Sequence, residues 1–198
     1  MWIQGVAIRS VPQFAVIATN VLERIERELA AEESDGRYRV DDVFRQFERT
    51  QPALADAMST LLSKPLDETA LALGYFLSAS VWQAFERVFG ARLGQVSEES
   101  RRAVVDMIRL EEEVRAERGH EPIEFEDVVL AEQPSVMAFI HEHLDAALDV
   151  AARAEDEGSC EVDVDDVHAV YRALLVTVLA LSYAVLPVDG VVIHTQLG

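Results

Sequence analysis

Lysine, asparagine and cysteine are nearly absent from this 198-residue chain, in which Lys64, Asn20 and Cys160 are the only residues of their kinds. A single cysteine excludes an intramolecular disulfide, which favours a reducing, cytoplasmic location. The basic residues are otherwise arginines, and alanine is abundant. This composition is typical of a GC-rich genome, and we expect a bacterial source. No stretch is rich in proline, glycine or serine, so no flexible linker is predicted.

Positive charge is also scarce, since 36 acidic residues face 17 basic ones and the formal net charge is −19. So much negative charge repels phosphate, and we expect the chain to bind neither nucleic acid nor an anionic membrane. Two interpretations of the acidity stay open. It reflects a genome or salt adaptation, or it serves to mimic DNA or to neutralise a basic partner.

Long hydrophobic runs are missing as well. Residues 2–18 are apolar, but Arg9 and Pro12 interrupt them and no basic segment precedes them, so a signal peptide is not expected. Residues 173–186 carry no charge, but 14 residues fall short of the roughly 20 that cross a bilayer. This run predicts a helix buried on all sides at the centre of the fold.

Apolar residues recur at intervals of three and four along most of the chain, which predicts an all-α domain of about seven helices. The first helix is predicted over 12–33, with Ser10 as N-cap and Pro12 in the first turn. Asp41 and Asp42 are expected to cap a short helix, and Asp67 a long apolar one over Glu68–Phe89.

Two further apolar faces follow from the same periodicity. The helix that begins near Ser97 is predicted to direct its apolar side chains inward, Val105 and Leu110 among them. The last helix is expected over 167–186, capped by Asp165 and Asp166. The segments 2–9 and 191–196 have no helical period and are rich in β-branched residues, so short extended structure is predicted at both ends.

The two halves of the chain resemble each other. A shift of 85 positions aligns 22–32 with 107–117, and 38–43 with 123–128. After a three-residue deletion Gln51-Pro52 meets Gln133-Pro134. The pattern predicts two pseudo-repeats of three helices, about 12–90 and 97–186, around two central apolar helices. They would share one core, so that 1–198 forms a single domain.

Carboxylates one helical turn apart are the first candidate site, since helical magnesium enzymes use Glu-x-x-Glu pairs. Glu23 and Glu26 have this spacing, and Glu32 and Asp35 follow. Together they resemble the Glu-x-x-Glu…Glu-x-x-Asp signature of the all-α NTP pyrophosphatases. The second pair, however, stands on the same helix, where those enzymes place it on another. The alternative is a solvated helix face.

Histidine and aspartate form the second candidate. His141 and Asp145 lie four residues apart, a spacing that suits two metal ligands on one helix face, with surface polarity as the alternative. The acidic segment 155–166 departs from the pattern of an EF-hand loop. That loop needs glycine at its sixth position, whereas Gly158 is the fourth residue of the segment. It is predicted to be a solvated loop.

Motifs for nucleophilic catalysis and for phosphate loops are absent from the sequence. We therefore expect a non-enzymatic interaction or regulatory protein with no cofactor and no metal, whose partner is another protein or a second copy of the chain. Two alternatives stay open. One is a metal-dependent helical enzyme that uses the carboxylates of the first helix, and the other is a carrier or sensor that holds an apolar ligand between the central helices.

Overall fold

The computed structural model describes residues 7–30, 36–117, 125–156 and 163–188. These residues form one compact all-α fold, which confirms the predicted fold class. Their eight α-helices are α1 Thr19–Ala30, α2 Gly36–Thr50, α3 Pro52–Leu62, α4 Glu68–Phe89, α5 Glu98–Glu117, α6 Phe125–Glu132, α7 Pro134–Asp156 and α8 Val164–Ala184. Four fall in each half, because both Gln-Pro breaks separate two helices.

Helices α4 and α8 pack against each other at the centre, as predicted. They run in the same direction. Near their starts the backbone N–H of Asp67 donates to Asp166 Oδ2 at 2.8 Å, and beyond their ends Leu93 and Val185 form an isolated antiparallel bridge. Helix α4 has the bounds that the sequence predicts, with the carboxylate of Asp67 accepting from the N–H of Ala70 at 2.9 Å.

The absence of a side chain at Gly74 lets three helices approach closely. A Cβ atom there would lie 2.7 Å from Leu62 Cδ2 of α3 and 3.2 Å from Val170 Cγ1 of α8. One turn further along α8, Leu174 is fully buried. The region between the central helices is therefore filled by side chains.

Helix α8 is long and apolar enough to span a membrane by length and composition, and it is the one such helix found in the described part of the chain. Most of its apolar window is buried inside the fold, where α3, α4 and α5 pack around it. This burial is typical of the core helix of a soluble protein.

The outer helices make contacts that recur in both halves. Helix α1 packs on α4 as α5 packs on α8, and α2 packs on α3 as α6 packs on α7. Contacts between the halves also form pairs, since α1 meets α7 and α3 meets α5. These contacts describe the packing of the helices and do not test a common origin of the two halves. The internal duplication therefore stays a prediction.

The glutamines of the two Gln-Pro breaks bind backbone that is distant in the sequence. Gln51 is buried, donates from Nε2 to the carbonyl of Gly94 at 3.0 Å and accepts from the N–H of Val96 at 2.8 Å. Gln133 is also buried, donates to the carbonyl of Ala15 at 2.8 Å and accepts from the N–H of Ile17 at 3.2 Å. Each glutamine thus satisfies one donor and one acceptor of a non-helical segment.

The predicted start of the first helix is wrong. Helix α1 begins at Thr19, and the residues around Pro12 form a short 3₁₀ turn, Gln13–Ala15, followed by extended backbone at Val16. The cause is the pairing with Gln133, which requires Ala15 and Ile17 to present their backbone groups outside a helix. Ser10 therefore does not cap α1.

Two predicted helix caps and one predicted apolar helix face also differ from the structure. Asp41 and Asp42 lie inside α2 rather than at its start, and the cap of α8 is Asp163, which accepts from the N–H of Asp165 at 2.9 Å. Side chains at Val105 and Leu110 are 39% and 50% exposed, because the buried stripe of α5 passes through Val104 and Ile108 and leaves them outside it.

The segments 2–6, 31–35, 157–162 and 189–198, with the predictions made for them, lie outside the described residues.

Candidate functional site

A groove of about 1060 Å³ opens on the surface of the first half. Helices α1, α2, α3 and α4 contribute its walls, and His143 of α7 also lines it. We call it the α2–α4 groove. Its apolar side chains are Leu29, Val40, Phe44, Leu62, Leu71, Ala72, Tyr75 and Phe76. Its polar ones are Glu26, Asp41, Arg45, Glu48, Ser59, Ser63, Glu68 and His143.

Aromatic rings form part of the groove wall. Phe44 of α2 and Tyr75 of α4 are stacked, with ring centroids 4.5 Å apart and an interplanar angle of 22°. Beside them Leu71 of α4 is 42% exposed. An exposed apolar side chain therefore lies next to fixed rings in a groove, and concave apolar surfaces with a few polar groups are suited to binding.

A hydrogen bond fixes the orientation of Tyr75. Its hydroxyl donates to Asp41 Oδ1 of α2 at 2.8 Å. Partial burial of the phenol, together with this hydrogen bond to the Asp41 carboxylate, raises the pKa of Tyr75 to about 12. The phenol therefore stays protonated at neutral pH, and the Tyr75–Asp41 bond holds α2 and α4 in a fixed relation along the groove.

Negative charge surrounds the apolar surface. The lining holds the carboxylates of Glu26, Asp41, Glu48 and Glu68 against one guanidinium, that of Arg45. Arg45 is paired with Asp42 at 2.9 Å, so its charge is compensated outside the lining. The groove consequently has an apolar centre and an acidic border.

Glu26 is one of the sequence candidates, and the structure brings it to His143. The distance between Glu26 Oε1 and His143 Nε2 is 3.6 Å. The other ring nitrogen of His143, Nδ1, lies 2.9 Å from the carbonyl oxygen of Phe139 and must donate to it. In the neutral imidazole Nε2 then carries no proton and faces the carboxylate.

The other three sequence candidates do not join this site. Glu23 and Asp145 are exposed. His141 is half-buried, and its Nε2 lies 2.8 Å from the hydroxyl of Tyr171 on α8. A metal shared by His141 and Asp145, or by Glu23 and Glu26, would lack a third protein ligand, because the described residues contain no group of three or more His, Cys, Asp or Glu side chains suited to one ion.

Sequence reasoning missed the aromatic and acidic residues of the groove. The sequence singled out neither Phe44 nor Tyr75, and only the packing of α2 on α4 brings the two rings together along the groove. A signal was present at Leu71, which stands in an apolar helix but on the side opposite Leu73 and Leu77. A leucine outside the buried stripe indicates an apolar surface to which no described helix is packed.

The comparisons with known proteins give no relatives. No family model matches the chain, and no curated protein and no solved structure matches it. The functional argument therefore depends on the groove itself.

Proposed function

We propose that the chain is a non-enzymatic interaction protein that binds a segment of a partner protein in the α2–α4 groove. The observation that carries this proposal is an apolar, aromatic surface, open to solvent at Leu71 and bordered by acidic side chains. A fixed apolar surface gains free energy when a partner removes it from water, by about 25 cal/mol for each Å² that is buried.

The alternatives have less support. The metal-dependent enzyme needs converging ligands, and Glu26 meets a histidine rather than a second carboxylate. The carrier was expected to hold its ligand between the two central helices, but there Gly74 and Val170 are in close approach. We propose a cytoplasmic, bacterial protein whose net charge of −19 keeps it from nucleic acid and anionic membranes.

Site-specific photo-crosslinking in the native host tests the proposal. A photoreactive amino acid at Leu71 lies in the groove, and the same amino acid at Leu110 is the matched control, because that leucine is also exposed but belongs to α5. We expect the Leu71 position to yield one discrete crosslinked protein, identified by mass spectrometry, which is lost when Ala72→Arg fills the groove with a long side chain.

The result that contradicts the proposal is equal crosslinking from both positions, or none from Leu71. A crosslinked dimer of the chain would identify the occupant of the groove as a second copy of the chain rather than another protein. A crosslink to a small molecule in place of a protein would favour the carrier alternative.

A further inference from the structure

We infer that the occupant of the α2–α4 groove is a basic amphipathic helix, with its apolar face on Leu71, Ala72 and Tyr75 and its cations near Glu26, Glu48 and Glu68. This inference rests on the proposed function and specifies the partner. It is carried by the backbone of the groove, by the position of its charges and by the charge of the whole chain.

The backbone of the groove favours a helical occupant over an extended one. Every residue that lines it lies in an α-helix except Ser63, which follows α3. Backbone groups inside helices are already hydrogen-bonded, so the groove offers no strand edge to which an extended peptide could pair. A helix satisfies its own backbone and contacts a groove through side chains at i, i+3, i+4 and i+7.

The charges of the groove favour cations on that helix. Three carboxylates border the groove, from three different helices: Glu26 of α1, which lies 3.6 Å from His143 Nε2, Glu48 of α2 and Glu68 of α4. Glu48 and Glu68 make no ion pair with the described residues. Asp41 is excluded from this set because it already accepts from Tyr75. Lysine or arginine on the flanks of the helix would compensate these charges.

The net charge of the chain argues against a second copy as the natural occupant. Two chains that each carry −19 repel each other, and an acidic helix of the same chain would meet an acidic border. A basic helix is instead attracted from a distance and then held by the apolar contact.

The test uses a defined probe, a labelled peptide of roughly 18 residues, or about five helical turns, with leucine and phenylalanine on one face and lysine and arginine on the flanks. A second peptide has the same apolar face and glutamate in place of the basic residues. Fluorescence anisotropy gives the Kd of each peptide for the full chain. We expect the basic peptide to bind and the acidic one to bind at least about tenfold more weakly.

Two triple variants separate the groove from the general field of an acidic protein. Glu26→Gln, Glu48→Gln and Glu68→Gln together remove the three charges of the groove. Glu99→Gln, Asp106→Asn and Glu113→Gln together remove three exposed charges from α5 and change the net charge equally. Since three exposed ion pairs are together worth about 1.4 kcal/mol, we expect the groove triple to raise the Kd about tenfold and the α5 triple less than about twofold.

Equal effects of the two triples, or equal binding of both peptides, would overturn the inference, since attraction would then come from the net charge or from the apolar face alone. If crosslinking from Leu71 succeeds and the crosslinked partner segment is acidic or extended, the inference fails while the proposed function stands. If crosslinking from Leu71 fails, the proposed function fails, whatever the peptides do.

Discussion

Replacing Gln133 by leucine is expected to lower the free energy of unfolding by about 2–6 kcal/mol. The side chain is fully buried and holds the carbonyl of Ala15 and the N–H of Ile17. Leucine has a similar size but no polar atoms, so both backbone groups would lose their partner inside the protein. Each buried polar group left without a hydrogen bond costs about 1–3 kcal/mol. Urea denaturation followed by circular dichroism measures the change.

Two further variants are the controls for Gln133. Gln133→Glu keeps the shape but replaces a donor by an acceptor, so it is expected to destabilise the fold at least as much as leucine. Gln46→Leu changes an exposed glutamine of α2 and is expected to alter stability by less than about 0.5 kcal/mol. A loss well under 1 kcal/mol in Gln133→Leu would show that the bonds to Ala15 and Ile17 do not stabilise the fold.

Replacing Leu174 by alanine is expected to cost about 2–5 kcal/mol. This leucine lies in the middle of α8, is fully buried and belongs to the core that α8 forms with α4. Truncation removes apolar contacts and leaves a cavity that the tightly packed central helices cannot fill. Chemical denaturation measures the cost.

The control for Leu174 stands on the same helix. Val164, at the start of α8, is 66% exposed, and Val164→Ala is expected to change stability by less than about 0.5 kcal/mol. If Leu174→Ala behaved like the control, α8 would not be a core helix, and the central packing of α4 on α8 would be wrong.

Local signals were sufficient to predict the bounds of α4. Asp67 before α4 and Gly90 after it mark the ends of that helix, and the structure uses both, Asp67 as a side-chain cap and Gly90 with a φ of +47°. Such ends depend on neighbouring residues alone, and for that reason they can be predicted from the sequence.

The start of α1 could not be predicted locally, because its cause is far away in the chain. Residues of the second half hold the segment that precedes it: Gln133 binds Ala15 and Ile17, and the hydroxyl of Tyr183 donates to the carbonyl of Arg9. Burial raises the pKa of Tyr183 to about 12, so it remains a donor at neutral pH. A helical period over 12–33 does not reveal these partners.

The candidate site likewise depends on residues that are distant in the sequence. The carboxylate of Glu26 was a candidate metal ligand together with Glu23, because residues three apart on a helix share a face. The fold instead places it near His143, which comes from α7 in the other half, and beside an apolar surface built by α2 and α4. Spacing along one helix predicts neighbours on that helix, whereas a groove is defined by several helices.

Hydrogen exchange of the full chain with and without the basic peptide tests most directly whether the α2–α4 groove is a helix-binding surface. Mass spectrometry follows backbone amides in 40–48 and 68–76, which border the groove, and in 98–114 of α5 as the internal control. We predict that saturating peptide slows exchange in the two groove segments and leaves α5 unchanged. Slower exchange in α5, or no change at 40–48 and 68–76 under saturating peptide, would contradict the account.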